Sequence, residues 1–438
     1  MSSNLRFIAS PGGRLVGEIR VAGDKSISHR SIMLGALAEG TSKVSGFLEG
    51  GDALATLNAF KAMGVQIEGP QDGNVTIHGV GMNGLQSPEG PLDLGNSGTS
   101  VRLMSGLLAG QGMELTLIGD ESLSRRPMKR VTEPLEQMGA EINTTPKGTA
   151  PLVIRPVDGL RGIDYQMPVA SAQVKSCLLL AGMYADGETW VTEPAPTRDH
   201  TERMLRGFGY EVMESGSRRG LRGGGKLTAC DIDVPADISS AAFFLVGASI
   251  AEGSDLTLKH VGMNPTRDGV INILRLMGAD IEVLNEREVG GEPVADLRVR
   301  SARLKGIRIP QEQVPLAIDE FPVLFVAAAC AEGMTVLTGA EELRVKESDR
   351  IQVMADGLQA LGVVARPTED GIVIHGGPMG GGEVDSHGDH RIAMAFAMAS
   401  LRAGGDIIIN DCANVNTSFP DFVGLASSVG LNVRSEND

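Results

Sequence analysis

The feature that most limits what this chain can become is a glycine that returns six times at nearly even intervals. Gly64, Gly139, Gly209, Gly278, Gly362 and Gly430 are separated by 75, 70, 69, 84 and 68 residues. They lie in LNAFKAMGVQIEG, VTEPLEQMGAEINT, TERMLRGFGYEVME, VINILRLMGADIEV, ADGLQALGVVARP and VGLASSVGLNVRS. Each segment reads as an amphipathic helix with a glycine stop, followed at once by an alternating strand. A period near seventy exceeds the short solenoid repeats, so each repeat must hold several elements.

A second series of six runs out of phase with the first. SISHRSIMLGALAEG, SGTSVRLMSGLLAG, SAQVKSCLLLAGMYADG, ISSAAFFLVGASIAEG, EFPVLFVAAACAEG and DHRIAMAFAMASLRAGG are apolar around most of their circumference. Each precedes a strand-like run such as MELTLIG, ETWVTE or DIIIN. A helix that is hydrophobic all round belongs inside a core, whereas the amphipathic series should cover an outer surface. One core rarely grows to this length, so two domains of three repeats each are expected. With 58 glycines and a single tryptophan, Trp190, the composition suits short turns and tightly packed small side chains rather than large aromatic cores.

All six buried segments open on small, polar or charged residues: Lys25-Ser26, Asn96 to Thr99, Ser171 to Gln173, Asp237 to Ser239, Asp319-Glu320 and Asp389 to Arg391. Helix starts offer unpaired backbone N–H groups and the positive end of the peptide dipole, so they favour anions. Capping accounts for Asp237 and Ser239. It does not account for Lys25, Arg30 and Arg391, because cations are disfavoured at that end unless an anion joins them. Pseudo-symmetric repeats would aim these starts at one cleft between the domains. Loops in matching places add Arg125, Arg126, Lys129 and Arg130, then Arg198 and Asp199, then Arg344, Lys346, Glu347, Asp349 and Arg350. Lys346-Glu347 sets a carboxylate beside a cation, a pairing that geometry can turn into acid, base or strut.

Several classes are excluded. The formal charge is −16, which argues against a nucleic-acid partner. Cys177, Cys230, Cys330 and Cys412 are far apart, with no CxxC pair. No apolar run reaches membrane-spanning length and no signal-peptide pattern opens the chain, so a soluble cytoplasmic protein is expected. Gly79 to Gly84 matches GxGxxG, but LQSPEGPLDL follows, with no helix to receive a pyrophosphate. His387, Asp389 and His390 lack the companions of a metal site, and no metal or cofactor is expected.

GDKSISHRSIM, LGNSGTSVRLMSGLL, SLSRRPM, ASAQVKSCLLLAG, TRDHTERML, IDEFPVLFVAAA, LRVKESDR, DHRIAMAFAMA and TSFPDF together resemble the 3-phosphoshikimate 1-carboxyvinyltransferase (EPSP synthase) family of enolpyruvyl transferases. The bacterial class resembled carries ASAQVKS and TRDHTE. The resemblance implies an α/β fold, a two-domain inside-out barrel with three βαβαββ repeats per domain, helices inside and sheets outside. It assigns residues 1–22 and 236–438 to one domain and 23–235 to the other, with the active site in the cleft between them. It further implies a monomer that joins shikimate 3-phosphate to phosphoenolpyruvate and releases phosphate.

By motif match, Lys25, Ser26, Arg30, Ser171, Gln173, Arg198, Asp319 and Lys346 should hold shikimate 3-phosphate. Lys25, Gly98, Arg126, Gln173, Arg350 and Arg391 should hold phosphoenolpyruvate. Both substrates carry phosphates of about −1.5 to −2 charge, so an acidic chain must concentrate its cations locally. Asp319, Glu347 and Lys25 are the expected catalytic groups. Asp319 is matched to the 5-hydroxyl proton and Glu347 to the methylene carbon, while Lys25 could stabilise charge or share in proton transfer; which moves which proton stays open. Ala172 stands where some relatives have a second serine, a loss that Arg198 could offset. Thr417 stands where some have lysine, and is not counted in the site. The nearest alternative is transfer to UDP-N-acetylglucosamine, whose family usually places a reactive cysteine in the loop matching GDESLSRRP; this chain has none there. A non-catalytic repeat clamp is the other.

Overall fold

The computed structural model describes residues 4–437. The chain falls into two compact units. Unit 1 comprises the described residues up to Ala22, Pro235–Glu288 and the chain from Glu292 onward; unit 2 comprises Gly23–Val234 with Val289–Gly291.

Unit 2 holds three helix pairs. They are α1 (Lys25–Leu37) with α2 (Gly51–Ala62), α3 (Gly98–Ala109) with α4 (Lys129–Gln137), and α5 (Ala172–Gly182) with α6 (His200–Gly207). Unit 1 repeats the pattern with α7 (Ile238–Ile250) and α8 (Gly269–Leu276), α9 (Phe321–Cys330) and α10 (Arg350–Ala360), then α11 (His390–Ala399), a short α12 (Val415–Ser418) and α13 (Phe422–Val429). The first helix of each pair is buried along nearly its whole length. The second keeps an exposed face. All six repeat glycines adopt positive φ, from 81° at Gly209 to 119° at Gly430, directly after the outer helices. A left-handed residue ends a helix at little cost only when it lacks a Cβ.

The sheets repeat as well. In unit 2 the orders are Ile232–Asp233, Thr41–Ser45, Asn74–His78, Gln66–Gln71; then Leu92–Asp93, Leu115–Ile118, Leu152–Arg155, Glu141–Asn143; then Asp164–Gln166, Glu188–Thr192, Arg218–Arg222, Met213–Ser215. In each the first pair is parallel and the others antiparallel. Unit 1 borrows the start of the chain to finish two sheets. Val16–Ile19 lies parallel to Asp255–Gly262. Leu5–Ala9 sits between Ile407–Asn410 and Val433–Asn437, with Phe7 opposite both Ile409 and Ser435.

Each unit has its own hydrophobic core. In unit 2 small residues let inner helices meet at the backbone: a Cβ on Gly106 of α3 would lie 2.0 Å from the carbonyl oxygen of Cys177 on α5. Unit 1 departs from the expectation of an aromatic-poor core. Phe7, Phe243, Phe244, Phe419 and Phe422 gather there, the last pair edge-to-face at 5.3 Å between centroids. Scarcity in composition does not prevent concentration where the first strand and last helix must both be anchored. The Gly79 to Gly84 segment is a loop after strand Asn74–His78, and no helix follows until α3. No helix among the described residues is long and apolar enough to cross a membrane.

Candidate active-site groups on each unit

In unit 2 the chemistry gathers at the starts of α1, α3 and α5. Asp24 caps α1 by accepting from Ile27 N at 2.8 Å, which leaves Lys25 in the first turn. Lys25 Nζ lies 2.5 Å from Asp52 Oδ2, and Asp52 in turn suits the positive end of α2. Arg30, buried one turn on, donates from Nε to Thr201 Oγ1 (2.7 Å), from Nη2 to Ser176 Oγ (3.0 Å) and from Nη1 to the Ser26 carbonyl (2.9 Å). It thereby ties α1 to α5 and α6.

A second polar chain joins α1 to α3. His29 Nδ1 lies 2.8 Å from Thr56 Oγ1, Thr56 Oγ1 lies 2.6 Å from Ser100 Oγ, and Ser100 Oγ reaches Ser97 Oγ at 2.7 Å. Ser97 is the cap of α3. Burial holds the His29 pKa well below its ordinary value, reinforced by Lys25 and Arg30 nearby, so the ring is neutral.

At α3 the first residue is Gly98, and two guanidinium groups stand over it. A Cβ there would lie 2.9 Å from Arg126 Nη1 and 3.1 Å from Arg102 Nη1. Arg126 Nη2 donates to Asn96 Oδ1 at 2.8 Å, and Asn96 Nδ2 donates to Asp120 Oδ2 at 2.8 Å. Arg102 Nη1 donates to Gln173 Oε1 at 2.6 Å, while Gln173 Nε2 donates to Thr99 Oγ1 at 3.1 Å. Gly98, Arg126 and Gln173 are thus brought together. Ser171 caps α5 through Val174 N at 3.3 Å, and half-buried Arg198 sits in the loop before α6.

Unit 1 is built around one arginine. Arg350, the first residue of α10, is 1% exposed. Its Nε donates to Asp389 Oδ2 (2.8 Å), its Nη2 to Glu347 Oε2 (2.7 Å) and its Nη1 to Asp319 Oδ1 (3.3 Å). Burial works against its charge, yet Asp389 and Glu347 outweigh burial and raise its pKa. Burial likewise works against an ionised Asp389, and Arg350 reverses this, so the carboxyl is held below its ordinary value. Lys346 Nζ lies 3.4 Å from Asp319 Oδ1. Arg391, in the first turn of α11, gives its backbone N–H to Asp389 at 3.0 Å. Its half-buried side chain makes no hydrogen bond or ion pair among the described residues.

Not every helix start is open to a ligand. At α7, Arg267 Nη2 donates to Asp237 Oδ1 (2.8 Å) and Ser239 Oγ (2.7 Å), and Ser239 Oγ donates to Glu320 Oε1 (2.9 Å). Asp237 is a cap as expected, but Ser239 is committed to Glu320, and the Asp237 carboxylate, paired with Arg267, is itself the anion at this helix start. Asp319 lies in a 3-10 stretch, Pro315–Glu320, just ahead of α9.

The sequence reading gave no binding or catalytic role to four groups that the structure sets among the expected ones: Asp52, Asn96, Arg102 and Asp389. Arg102 was the most accessible, since four residues after Gly98 it shares that face of the helix. Asp389, expected at the start of a buried helix and considered as a metal ligand, is the cap of α11 and also the counter-ion of Arg350. Thr417 donates its hydroxyl to the Asn414 carbonyl at 2.6 Å.

Known proteins share the sequence and the fold. A family model for EPSP synthase (3-phosphoshikimate 1-carboxyvinyltransferase) matches residues 9–425. Proteins named 3-phosphoshikimate 1-carboxyvinyltransferase are 70% identical in Methylococcus capsulatus, over 98% of both chains, and 71% identical in Alkalilimnicola ehrlichii, over 98% of this chain and 96% of that one. The solved EPSP synthase of Acinetobacter baumannii superposes with a TM-score of 0.89 at 60% identity, covering 99% of this chain and all of the other. Sequence and fold lead to one family, and the chain belongs to it: EPSP synthase, or 3-phosphoshikimate 1-carboxyvinyltransferase.

Proposed function

We propose that the chain transfers the enolpyruvyl group of phosphoenolpyruvate to the 5-hydroxyl of shikimate 3-phosphate, releasing phosphate. The observation that carries this is the Arg350 cluster. One buried guanidinium contacts both Asp319 and Glu347, the two carboxylates that the reaction needs as proton carriers. The 5-hydroxyl oxygen bonds to C2 of phosphoenolpyruvate as Asp319 takes its proton and Glu347 protonates the methylene carbon. In the second step Glu347 recovers a proton from that carbon, the double bond re-forms, the C–O bond to phosphate breaks, and the proton held by Asp319 passes to the departing phosphate. Atoms and electrons balance without a redox partner, so the reading calls for no cofactor.

The cations take the charges. Arg350 and Arg391 suit the carboxylate of phosphoenolpyruvate, since planar guanidinium forks match planar anions. Lys25, Gly98, Arg126 and Gln173 are assigned to the rest of that substrate. Lys25, Ser26, Arg30, Ser171, Gln173, Arg198, Asp319 and Lys346 are assigned to shikimate 3-phosphate. Lys25 serves both substrates and stabilises the charge that builds between them. The same reading takes the chain to act in the cytoplasm as a monomer, an assembly state that sedimentation equilibrium tests.

Transfer to UDP-N-acetylglucosamine is the competing reading, and the loop from Gly119 to Pro127 offers no cysteine for it. Proton NMR of the product decides: a pair of vinylic protons on an ether at C5 of shikimate 3-phosphate is expected. A product without that ether would reject the proposal.

A further inference from the structure

One buried ion cluster in unit 2 has no part in the reaction described above. Lys175 lies on α5, one turn after Ser171, and is 1% exposed. Its Nζ is 2.7 Å from Glu193 Oε1 and 2.8 Å from Glu202 Oε1. Glu193 directly follows strand Glu188–Thr192, and Glu202 belongs to the first turn of α6. The segment from 193 to 199 runs between them and carries Arg198. Thr197, next to Arg198 in the chain, donates its hydroxyl to the same Glu193 oxygen.

The ammonium group therefore holds the beginning of this loop and the helix that ends it, while Thr197 ties the loop down from within. The neighbouring residues on the same two helices, Ser176 and Thr201, bond to each other at 2.7 Å and both receive Arg30. One α5–α6 contact layer thus sets the place of two cations, Arg30 directly and Arg198 through its loop. Stability alone does not account for the arrangement. A buried ion cluster is often no more stable than apolar side chains of similar volume, so stability is weak ground for explaining it.

We propose that Lys175, with Glu193 and Glu202, is a positioning device for Arg198. It holds the loop from 193 to 199 so that the Arg198 guanidinium is already placed when shikimate 3-phosphate arrives; this rests on the substrate role proposed for Arg198. It also gives the ASAQVKS and TRDHTE segments a common physical purpose, because Lys175 comes from one and Glu202 from the other. Pre-ordering one long side chain is worth about three- to tenfold in affinity.

The test measures the dissociation constant of shikimate 3-phosphate by titration calorimetry on the full chain, together with steady-state kinetics. Thr197→Val should weaken that affinity about three- to tenfold, with kcat and the KM for phosphoenolpyruvate nearly unchanged. Thr197→Ser, which keeps the hydroxyl, should restore it. The pair Lys175→Met with Glu202→Gln removes two of the buried charges at similar volume and should have the same selective effect. In an Arg198→Ala background, Thr197→Val should cause no further loss, since both changes act through one side chain. If Arg198→Ala weakens binding while Thr197→Val and the paired variant leave it intact, the positioning role alone is overturned. If Arg198→Ala leaves binding intact, the role of Arg198 falls, and this inference falls with it.

Discussion

Lys25 shows how one side chain can be both a catalytic candidate and a structural partner. It faces Asp52 at 2.5 Å, and Asp52 is almost fully buried. Lys25→Ala should lower kcat by at least about 100-fold. It should also cost about 1–3 kcal/mol of stability, because a buried carboxylate loses its cation. Stopped assays and urea unfolding check the two effects separately; near-normal turnover would remove Lys25 from the mechanism. Gly98 makes the opposite point, since its role is to be absent. The atoms a Cβ would meet are the tips of Arg126 and Arg102, which are flexible enough to yield. Gly98→Ala should leave a folded enzyme that binds phosphoenolpyruvate less well, and that loses more affinity for glyphosate, the longer molecule. Equal inhibition constants in the two proteins would reject the steric account.

His29 carries the pH dependence at this scale. Its pKa is lowered in the folded chain, so the unfolded chain binds the extra proton first as pH falls. Stability from this residue is complete above the unfolded value of about 6.5. Below that value it declines by about 1.4 kcal/mol per pH unit, until the lowered folded value is reached. His29→Asn keeps a polar partner for Thr56 and should flatten the slope of stability between pH 6.5 and 5. An unchanged slope would show that the ring titrates normally.

At the level of elements, the glycine stops are the most legible part of the sequence and can be tested one against another. Gly362 has φ of +84° and open space where a Cβ would go. Gly430 has φ of +119°, and a Cβ there would lie 2.0 Å from the Arg14 carbonyl oxygen. Gly362→Ala should therefore cost about 1–2 kcal/mol, the left-handed backbone term alone. Gly430→Ala should cost more, because the end of α13 and the loop before Val16–Ile19 must separate; urea midpoints that rank them the other way would contradict this. These stops were readable because helix termination is local chemistry. The Arg350 cluster was only half readable. Asp319, Glu347 and Arg350 stood out by type and place, but nothing local announces that Asp389, 39 residues further on, turns back onto Arg350. Arg102 and Asp52 were missed for the same reason, since each acts by reaching another repeat or another helix.

For the molecule as a whole, periodicity carried most of the information. Six repeats with an inner and an outer helix each left few ways to bury the apolar series, and each unit does enclose three helices that are buried along nearly their whole length. What periodicity could not convey was the place of the first strands, which have no helix of their own. Leu5–Ala9 and Val16–Ile19 complete sheets whose other strands lie more than two hundred residues away. The aromatic cluster that anchors Leu5–Ala9 is equally non-local, built from Phe7 and residues of α7, α13 and the segment before it. The central claim, however, concerns chemistry: the chain transfers the enolpyruvyl group of phosphoenolpyruvate to a phosphorylated shikimate. The most direct measurement is phosphate release from phosphoenolpyruvate, with shikimate 3-phosphate or UDP-N-acetylglucosamine offered separately. Release with shikimate 3-phosphate alone is predicted; release only with the sugar nucleotide would contradict the account.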